Sequence, residues 1–200
     1  MAILIEADKA TYFPNVTQSG AALSGLLAVA QSLCESSWGA NRPLDQQQFT
    51  EIITINPKFR IGSLSYNPVS STPSPTVATR RYTDSWGRTI STDWYTLDSG
   101  SFSIDYEIGQ LNLFSVASEA KVVYTAGFDF ATSTQEVVSI KAIAGVVVDW
   151  ASRRFYGQLD SYLNNETGAP IQSFNMVAPD RYLETILRPL KKHAPRRSYG

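Results

Sequence analysis

The sequence predicts an α+β fold, on three observations. Apolar residues recur at three- and four-residue spacing over residues 136–156, which is typical of a long helix. A second helical pattern covers residues 20–37. Between the two, from about residue 49 to 125, apolar and polar residues alternate, which is typical of strands in a half-buried sheet. Helices therefore flank a β-rich insertion whose close turns predict antiparallel pairing.

The helix at residues 136–156 is predicted to be the core against which the other elements pack. A helix of about 20 residues is about 30 Å long, the diameter of a small domain. Ala142, Ile143 and Val146 extend its apolar surface, so we expect burial on most faces. Asp149 and Arg153 are four residues apart and are predicted to form an ion pair. The predicted structural core comprises Val137, Ile140, Ala144, Val147, Val148, Ala151 and Phe155.

The remaining elements follow from local patterns. The helix at 20–37 has an apolar stripe made of Ala22, Leu26, Val29, Ala30 and Leu33. Cys34 lies at the edge of this stripe and is interpreted as a small core residue. A short helix is predicted at 181–187, ended by Pro189, and the chain beyond Lys191 is expected to be disordered. The predicted strands cover residues 49–55, 59–64, 76–82, 94–97, 102–106, 110–114 and 121–125.

Composition indicates a single domain with an extension. Of the 200 residues 43% are hydrophobic and 18% are charged, which is ordinary for a globular chain and somewhat low in charge. One cysteine excludes an internal disulfide, and the first residues lack the pattern of a signal peptide. The central helix contains too many charges for a membrane span. We therefore predict one domain over 1–180 and a separate basic segment over 181–200.

Charge is distributed unevenly along the chain. The last twenty residues have six basic side chains and one acid, Glu184, whereas the first 180 residues have a net charge of −6. Such a segment is either a solvated terminus or a surface that contacts another molecule. Its basic residues are Arg181, Arg188, Lys191, Lys192, Arg196 and Arg197.

Catalytic and cofactor-binding patterns are missing from the sequence. The single histidine, His193, lies in the basic segment, and one histidine with one cysteine cannot form the usual zinc sites. The glycines lack the spacing of a phosphate-binding loop. We expect no enzyme activity, no cofactor and no metal. The acids Asp93, Asp98, Asp105 and Glu107 are interpreted as a solvated face, with a carboxylate site for acid–base chemistry or a small ligand as the alternative.

Several motifs, in their order along the chain, carry a resemblance to a known family. The chain resembles the head–tail connector proteins of tailed bacteriophages, also called adaptor or head-completion proteins. It differs from short family members in the length of two stretches, 67–118 and 158–180. The matching motifs are Met1-Ala2-Ile3-Leu4 leading through Ala7 to Tyr12, Trp38-Gly39-Ala40-Asn41-Arg42, the strand pair before Asn67-Pro68-Val69, Val122-Val123-Tyr124-Thr125-Ala126-Gly127-Phe128, Ile140-Lys141 to Trp150, and Arg153-Arg154.

This resemblance implies a small helical bundle around one long buried helix, with an inserted antiparallel sheet and an extended C-terminal arm. It further implies a structural virion protein in the neck of the particle, made in the host cytoplasm. Copies would form a ring of twelve below the portal protein, extend the DNA channel and provide the platform for a downstream neck or tail protein. The basic segment from Arg181 to Gly200 would dock onto the portal, and DNA would pass without specific binding.

Two alternatives stay open at this point. One is another neck or tail-completion protein of a phage particle, with the same ring logic and a different partner. The other is an enzyme or small-ligand module that uses the acids between Asp93 and Glu107. The aromatic residues Trp86, Tyr95 and Tyr106 are candidate contact sites between copies, or fill the domain's own sheet face.

Overall fold

The computed structural model describes residues 2–81, 93–157 and 181–195. These residues form two compact units. The helical unit comprises residues 2–44, 129–157 and 181–194, and the sheet unit comprises residues 45–81 and 93–128. The predicted α+β class is confirmed. The expectation of a single inserted sheet is wrong, because the strands form two antiparallel sheets.

The helical unit contains four α-helices in its described part. The longest, α3, contacts each of the other three. A 3-10 turn, Glu6–Asp8, precedes the first helix, a π-helical turn, Arg153–Gly157, follows α3, and a 3-10 turn, Arg188–His193, follows the last. The helices are α1 at Lys9–Tyr12, α2 at Gly20–Glu35, α3 at Gln135–Ser152 and α4 at Arg181–Leu187.

Helix α3 begins at a side-chain cap and buries one face. The Thr134 hydroxyl accepts a hydrogen bond from the Val137 backbone N–H at 3.4 Å, which satisfies one of the unpaired donors of the first turn. The sequence predicts burial on most faces, but Val146 is 40% exposed and Ala142 is also exposed. Phe155 lies beyond α3 in the π-helical turn and is half-buried. The buried predicted core residues are Val137, Ile140, Ala144, Val147, Val148 and Ala151.

Close contacts position α1 and the first residues of the chain against α3. Gly145 of α3 faces the Tyr12 carbonyl so closely that an added Cβ would lie 2.3 Å from that oxygen. One turn away, the Lys141 ammonium lies 3.1 Å from the Asp8 carboxylate, and both side chains are largely buried. Asp8 also accepts a hydrogen bond from the Ile5 N–H at 2.9 Å. The N-terminal turn is therefore held by both packing and charge.

Helix α2 is shorter than predicted and its buried stripe is shifted. It ends at Glu35, and its buried residues are Leu23, Leu26, Ala30 and Cys34, while Ala22, Val29 and Leu33 are only partly buried. Cys34 has no exposed surface, and burial raises the pKa of its thiol to about 12, with a further contribution from the Glu35 charge. The interpretation of Cys34 as a core residue is confirmed, since such a thiol is inert at neutral pH.

The sheet unit contains seven strands in its described part, each in a region predicted to be a strand. The first sheet has the order β1-β7-β3-β4 and the second has the order β2-β6-β5, with antiparallel neighbours throughout. The strands are β1 at Gln47–Thr54, β2 at Ile61–Ser63, β3 at Thr76–Arg80, β4 at Tyr95–Thr96, β5 at Phe102–Asp105, β6 at Gln110–Leu113 and β7 at Glu119–Ala126.

The core of the sheet unit is built from alternate residues of its strands. In β7 the buried residues are Ala120, Val122, Tyr124 and Ala126, while the residues between them are exposed or half-buried. The Tyr124 hydroxyl accepts a hydrogen bond from the Tyr66 N–H at 3.3 Å. Burial and the neighbouring Glu51 carboxylate raise the pKa of Tyr124, so this phenol stays protonated and polar within the core. The other buried apolar residues of this core are Ile53, Ile55, Leu64, Val69, Val77, Leu111, Leu113 and Ala117.

The residue directly after β7 is a glycine, Gly127, that lies very close to the backbone of Asp45. Gly127 has φ of +116°, and an added Cβ would lie 2.2 Å from the Asp45 carbonyl oxygen. The same close approach allows a parallel bridge between Asp45 and Phe128. Both its conformation and its surroundings thus require glycine at this position.

Candidate docking surface

The basic C-terminal segment is anchored by apolar residues on one side and presents its charges on the other. Leu183, Leu187 and Leu190 are at most 1% exposed. The side chains of Arg181, Arg188 and Lys191 are exposed, and none of the three forms an ion pair within the described part of the chain. We call these three residues the basic face. Of the other predicted docking residues, Arg196 and Arg197 lie outside the described residues.

The expectation of disorder beyond Lys191 is wrong for the described residues that follow it. Pro189 ends α4 as predicted, but the chain continues as a 3-10 turn that buries Leu190 and His193. The physical reason is the spacing of Leu183, Leu187 and Leu190, which keeps an apolar side directed inward across the proline. The segment therefore packs on its own subunit through its apolar side.

Lys192 and His193 meet Glu136 in the first turn of α3. The Lys192 ammonium lies 2.6 Å from the Glu136 carboxylate, and His193 Nε2 lies 3.2 Å from the same oxygen. The hydrogen bond from Lys192 lowers the pKa of Glu136, against a smaller opposing effect of burial. Lys192, although predicted to dock on a partner, thus forms an ion pair within the subunit, whereas the three residues of the basic face form none with any described residue.

His193 is held in its neutral form. Burial is the main cause that lowers its pKa from 6.5 to about 4, and the positive charges of Lys192 and Arg42 act in the same direction. The Glu136 carboxylate opposes them, with an effect smaller than that of burial or of Lys192. Because a protonated imidazole is disfavoured at this position, the seating of the C-terminal turn depends on pH.

The lowered pKa of His193 predicts a loss of stability in mild acid. Below pH 6.5 the unfolded chain binds a proton at His193 that the folded chain rejects until about pH 4, so stability falls as the pH falls through this window. We expect a loss of about 1–2 kcal/mol between pH 7 and pH 5. Urea unfolding at a series of pH values measures it.

His193→Gln is the control for this prediction, since the chain contains one histidine. The variant is expected to be less stable at pH 7 but to show a flat profile between pH 7 and pH 5.5. An unchanged slope in His193→Gln would contradict the assignment, because the titrating group would then be another one.

The acids of the alternative interpretation lie on the surface of the described residues. Asp93, Asp98, Asp105 and Glu107 are all exposed. The Asp105 carboxylate accepts hydrogen bonds from the Glu107 and Ile108 backbone N–H groups, each at 3.1 Å, and so closes a local turn. The described residues also contain no group of three or more side chains able to hold a metal ion. The predicted ion pair between Asp149 of α3 and Arg153, the first residue of the π-helical turn, is confirmed, with 2.6 Å between the two side chains.

Several aromatic residues are exposed, and the sequence predicted some of them but not others. Tyr95 and Tyr106 are 58% and 42% exposed, and Trp86 lies outside the described residues. Sequence reasoning missed Phe59 and Phe114, which are 62% and 59% exposed. The sequence gives little indication that these two residues are exposed, because each lies at the end of an alternating strand pattern that predicts burial.

Comparison of the chain with protein-family models and with curated proteins finds no match. Among the helices in the described ranges, none combines the length and apolar character that crossing a membrane requires. Support for a function therefore comes from the motifs of the sequence and from the surfaces described above.

Proposed function

We propose that this chain is a structural virion protein, a head–tail connector that forms a ring of twelve copies below the portal protein of a tailed bacteriophage. In this role it extends the DNA channel, receives a downstream neck or tail protein, and acts without enzymatic chemistry. The helices around α3 would form the bundle of the connector, and the two sheets would be its insertion. The motif order and the opposed charges of body and C-terminal segment support the proposal.

The observation that carries the proposal is the basic face. Arg181, Arg188 and Lys191 project from a segment whose leucines are fully buried, so three like charges are held in place without internal ion-pair partners in the described part of the chain. Like charges that are fixed on one side of a short segment attract an acidic surface and orient it. Lys192 would contribute only by exchanging Glu136 for a partner carboxylate.

Charge reversal on the basic face tests this role. Lys191→Glu is expected to weaken binding to the portal protein of the same phage by about tenfold, and Arg188→Glu with Lys191→Glu by more, because repulsion replaces attraction. Co-sedimentation and calorimetry at two salt concentrations measure it, with weaker wild-type binding at high salt. Deletion of 181–200 is less informative, since it would expose the surface covered by Leu183, Leu187 and Leu190.

Lys121→Glu is the matched control, because Lys121 is an exposed lysine of the sheet unit. It makes the same change in net charge and is expected to leave portal binding unchanged. Equal binding by all variants would contradict docking through the basic face. Binding to a tail protein with no binding to the portal would instead favour the role of another neck or tail-completion protein.

A further inference from the structure

An exposed apolar knob projects from the sheet unit. Phe59 precedes β2 and Phe114 follows β6, and the antiparallel β2–β6 pairing brings the segments that carry them side by side. The segments are joined there by two hydrogen bonds, from the Leu113 N–H to the Arg60 carbonyl at 2.8 Å and from the Arg60 guanidinium to the Phe114 carbonyl at 2.9 Å. Val116, 39% exposed, extends the apolar surface.

Two cations flank this knob. Lys58 and Arg60 are exposed on either side of Phe59 in the sequence, and the Lys58 ammonium lies 5.3 Å from the centre of the Phe59 ring. Arg60 has φ of +59°, a left-handed conformation that is uncommon for residues other than glycine. Strain of this kind persists only where surrounding contacts fix it, here the two hydrogen bonds to the segment of Phe114. The knob is thus a preformed feature with two aromatic rings and two positive charges.

An apolar groove with a negative charge lies on the helical unit. It runs between the N-terminal segment and α2 and has a volume of about 370 Å³. Among its lining residues Glu6 is the one charged side chain, and Glu6 forms no ion pair within the described part of the chain. Neighbouring charges are already engaged, Asp8 with Lys141 and Lys9 with the Gln18 carbonyl. The apolar lining residues are Ala2, Leu4, Ile5, Leu23, Leu27 and Ala28.

We propose that the knob formed by Phe59 and Phe114 of one copy inserts into the groove between residues 2–6 and α2 of the next copy, with Lys58 or Arg60 facing Glu6. The occupant follows from complementarity, because an aromatic projection with cations matches an apolar depression with one carboxylate. Two different surfaces of the same chain then meet head to tail, and repetition of such a contact closes a ring or extends a filament. The inference deepens the proposed ring function and rests on it.

Disulfide trapping between two variants, each with one added cysteine, tests the contact on the full chain. Ser24 lines the groove and Ser115 follows Phe114, and both are exposed. Cys34 is buried with a raised pKa and gives a low background. A mixture of Ser24→Cys and Ser115→Cys is expected to form a cross-linked dimer at least fivefold faster than either variant alone. The rates are compared at chain concentrations up to about 1 mM, because weak contacts are populated at such concentrations.

Two substitutions identify the groups responsible. Phe59→Ser with Phe114→Ser is expected to abolish the mixed cross-link, while Ile52→Ser, at a position 58% exposed on β1, leaves it unchanged. Glu6→Lys is expected to slow it, and Lys58→Glu in the partner, which leaves the hydrogen bond from Arg60 to the Phe114 carbonyl in place, is expected to restore it. Absence of a mixed cross-link, or faster dimerisation of Ser115→Cys alone, would overturn the proposal, the latter by showing a knob-to-knob contact.

The two proposals fail separately. A mixed cross-link without portal binding would contradict the connector role and leave the contact between copies standing. Portal binding that depends on Lys191, with no mixed cross-link in the presence of the portal, would leave the connector role and overturn the contact.

Discussion

Gly145→Ala is expected to lower the free energy of unfolding by about 3 kcal/mol, the upper range for inserting an atom where packing leaves no space. The added Cβ would lie 2.3 Å from the Tyr12 carbonyl oxygen and 2.9 Å from the Tyr12 Cβ. Neither atom is at the end of a flexible side chain, so the backbone at the end of α1 must move. That movement is expected to disturb the ion pair between Asp8 and Lys141, which lies one turn of α3 away. Chemical denaturation followed by circular dichroism measures the change.

Gly25→Ala supplies the control with the opposite sign. Gly25 lies within α2, and no atom lies within 4 Å of the position that an added Cβ would take. Replacing a helical glycine by alanine at an open position is expected to stabilise by about 0.5–1 kcal/mol. If both alanine variants changed stability in the same direction, the close approach of Gly145 to Tyr12 would not be the determinant we infer.

Gly127→Ala is expected to have an effect of similar size on the sheet unit, about 3 kcal/mol, because conformational strain and a clash act together. At φ of +116° an alanine is strained whatever the space, and its Cβ would meet the Asp45 carbonyl at 2.2 Å. The bridge from Asp45 to Phe128 and the end of the β1–β7 ladder would open. Hydrogen exchange at residues 47–50 and 123–126 is expected to accelerate.

Gly109→Ala is the comparison for this prediction, because it combines a positive φ with free space for a Cβ. Gly109 has φ of +65°, but the nearest atom to an added Cβ is 3.5 Å away, an ordinary contact. Its alanine variant is expected to lose only about 1 kcal/mol, the cost of a left-handed conformation. Equal losses in the two variants would contradict the additional cost that the φ of +116° and the clash with Asp45 are expected to give at Gly127.

The elements of the fold could be predicted from sequence because their signals are local. Alternation in residues such as Phe102, Ile104 and Leu111 identifies strands, and three- and four-residue spacing identifies α2 and α3. Pairing is not local. The β2–β6 ladder joins Ile61 to Asn112, and alternation states which face a residue takes but not which strand lies beside it. One predicted sheet therefore proved to be two.

The candidate site could be predicted in part for the same reason. The exposure of Arg181, Arg188 and Lys191 follows from helical spacing against the leucines. His193 and Glu136 are far apart in sequence, so local patterns do not predict their contact. Pro189 predicts the end of α4 and gives no sign that the apolar side of the segment continues beyond it. Phe59 and Phe114 were missed because alternation predicts which side chains are buried only within a strand. Phe59 lies before β2 and Phe114 lies after β6.

The imidazole beside Glu136 gives the chain a built-in spectroscopic reporter. One histidine yields one pair of ring carbon–proton resonances, so no assignment is needed. Their chemical shifts would report whether the C-terminal turn is seated on α3 in the free protein. A change in those lines on adding a portal would show directly whether recognition leaves the turn in place or lifts it from the subunit.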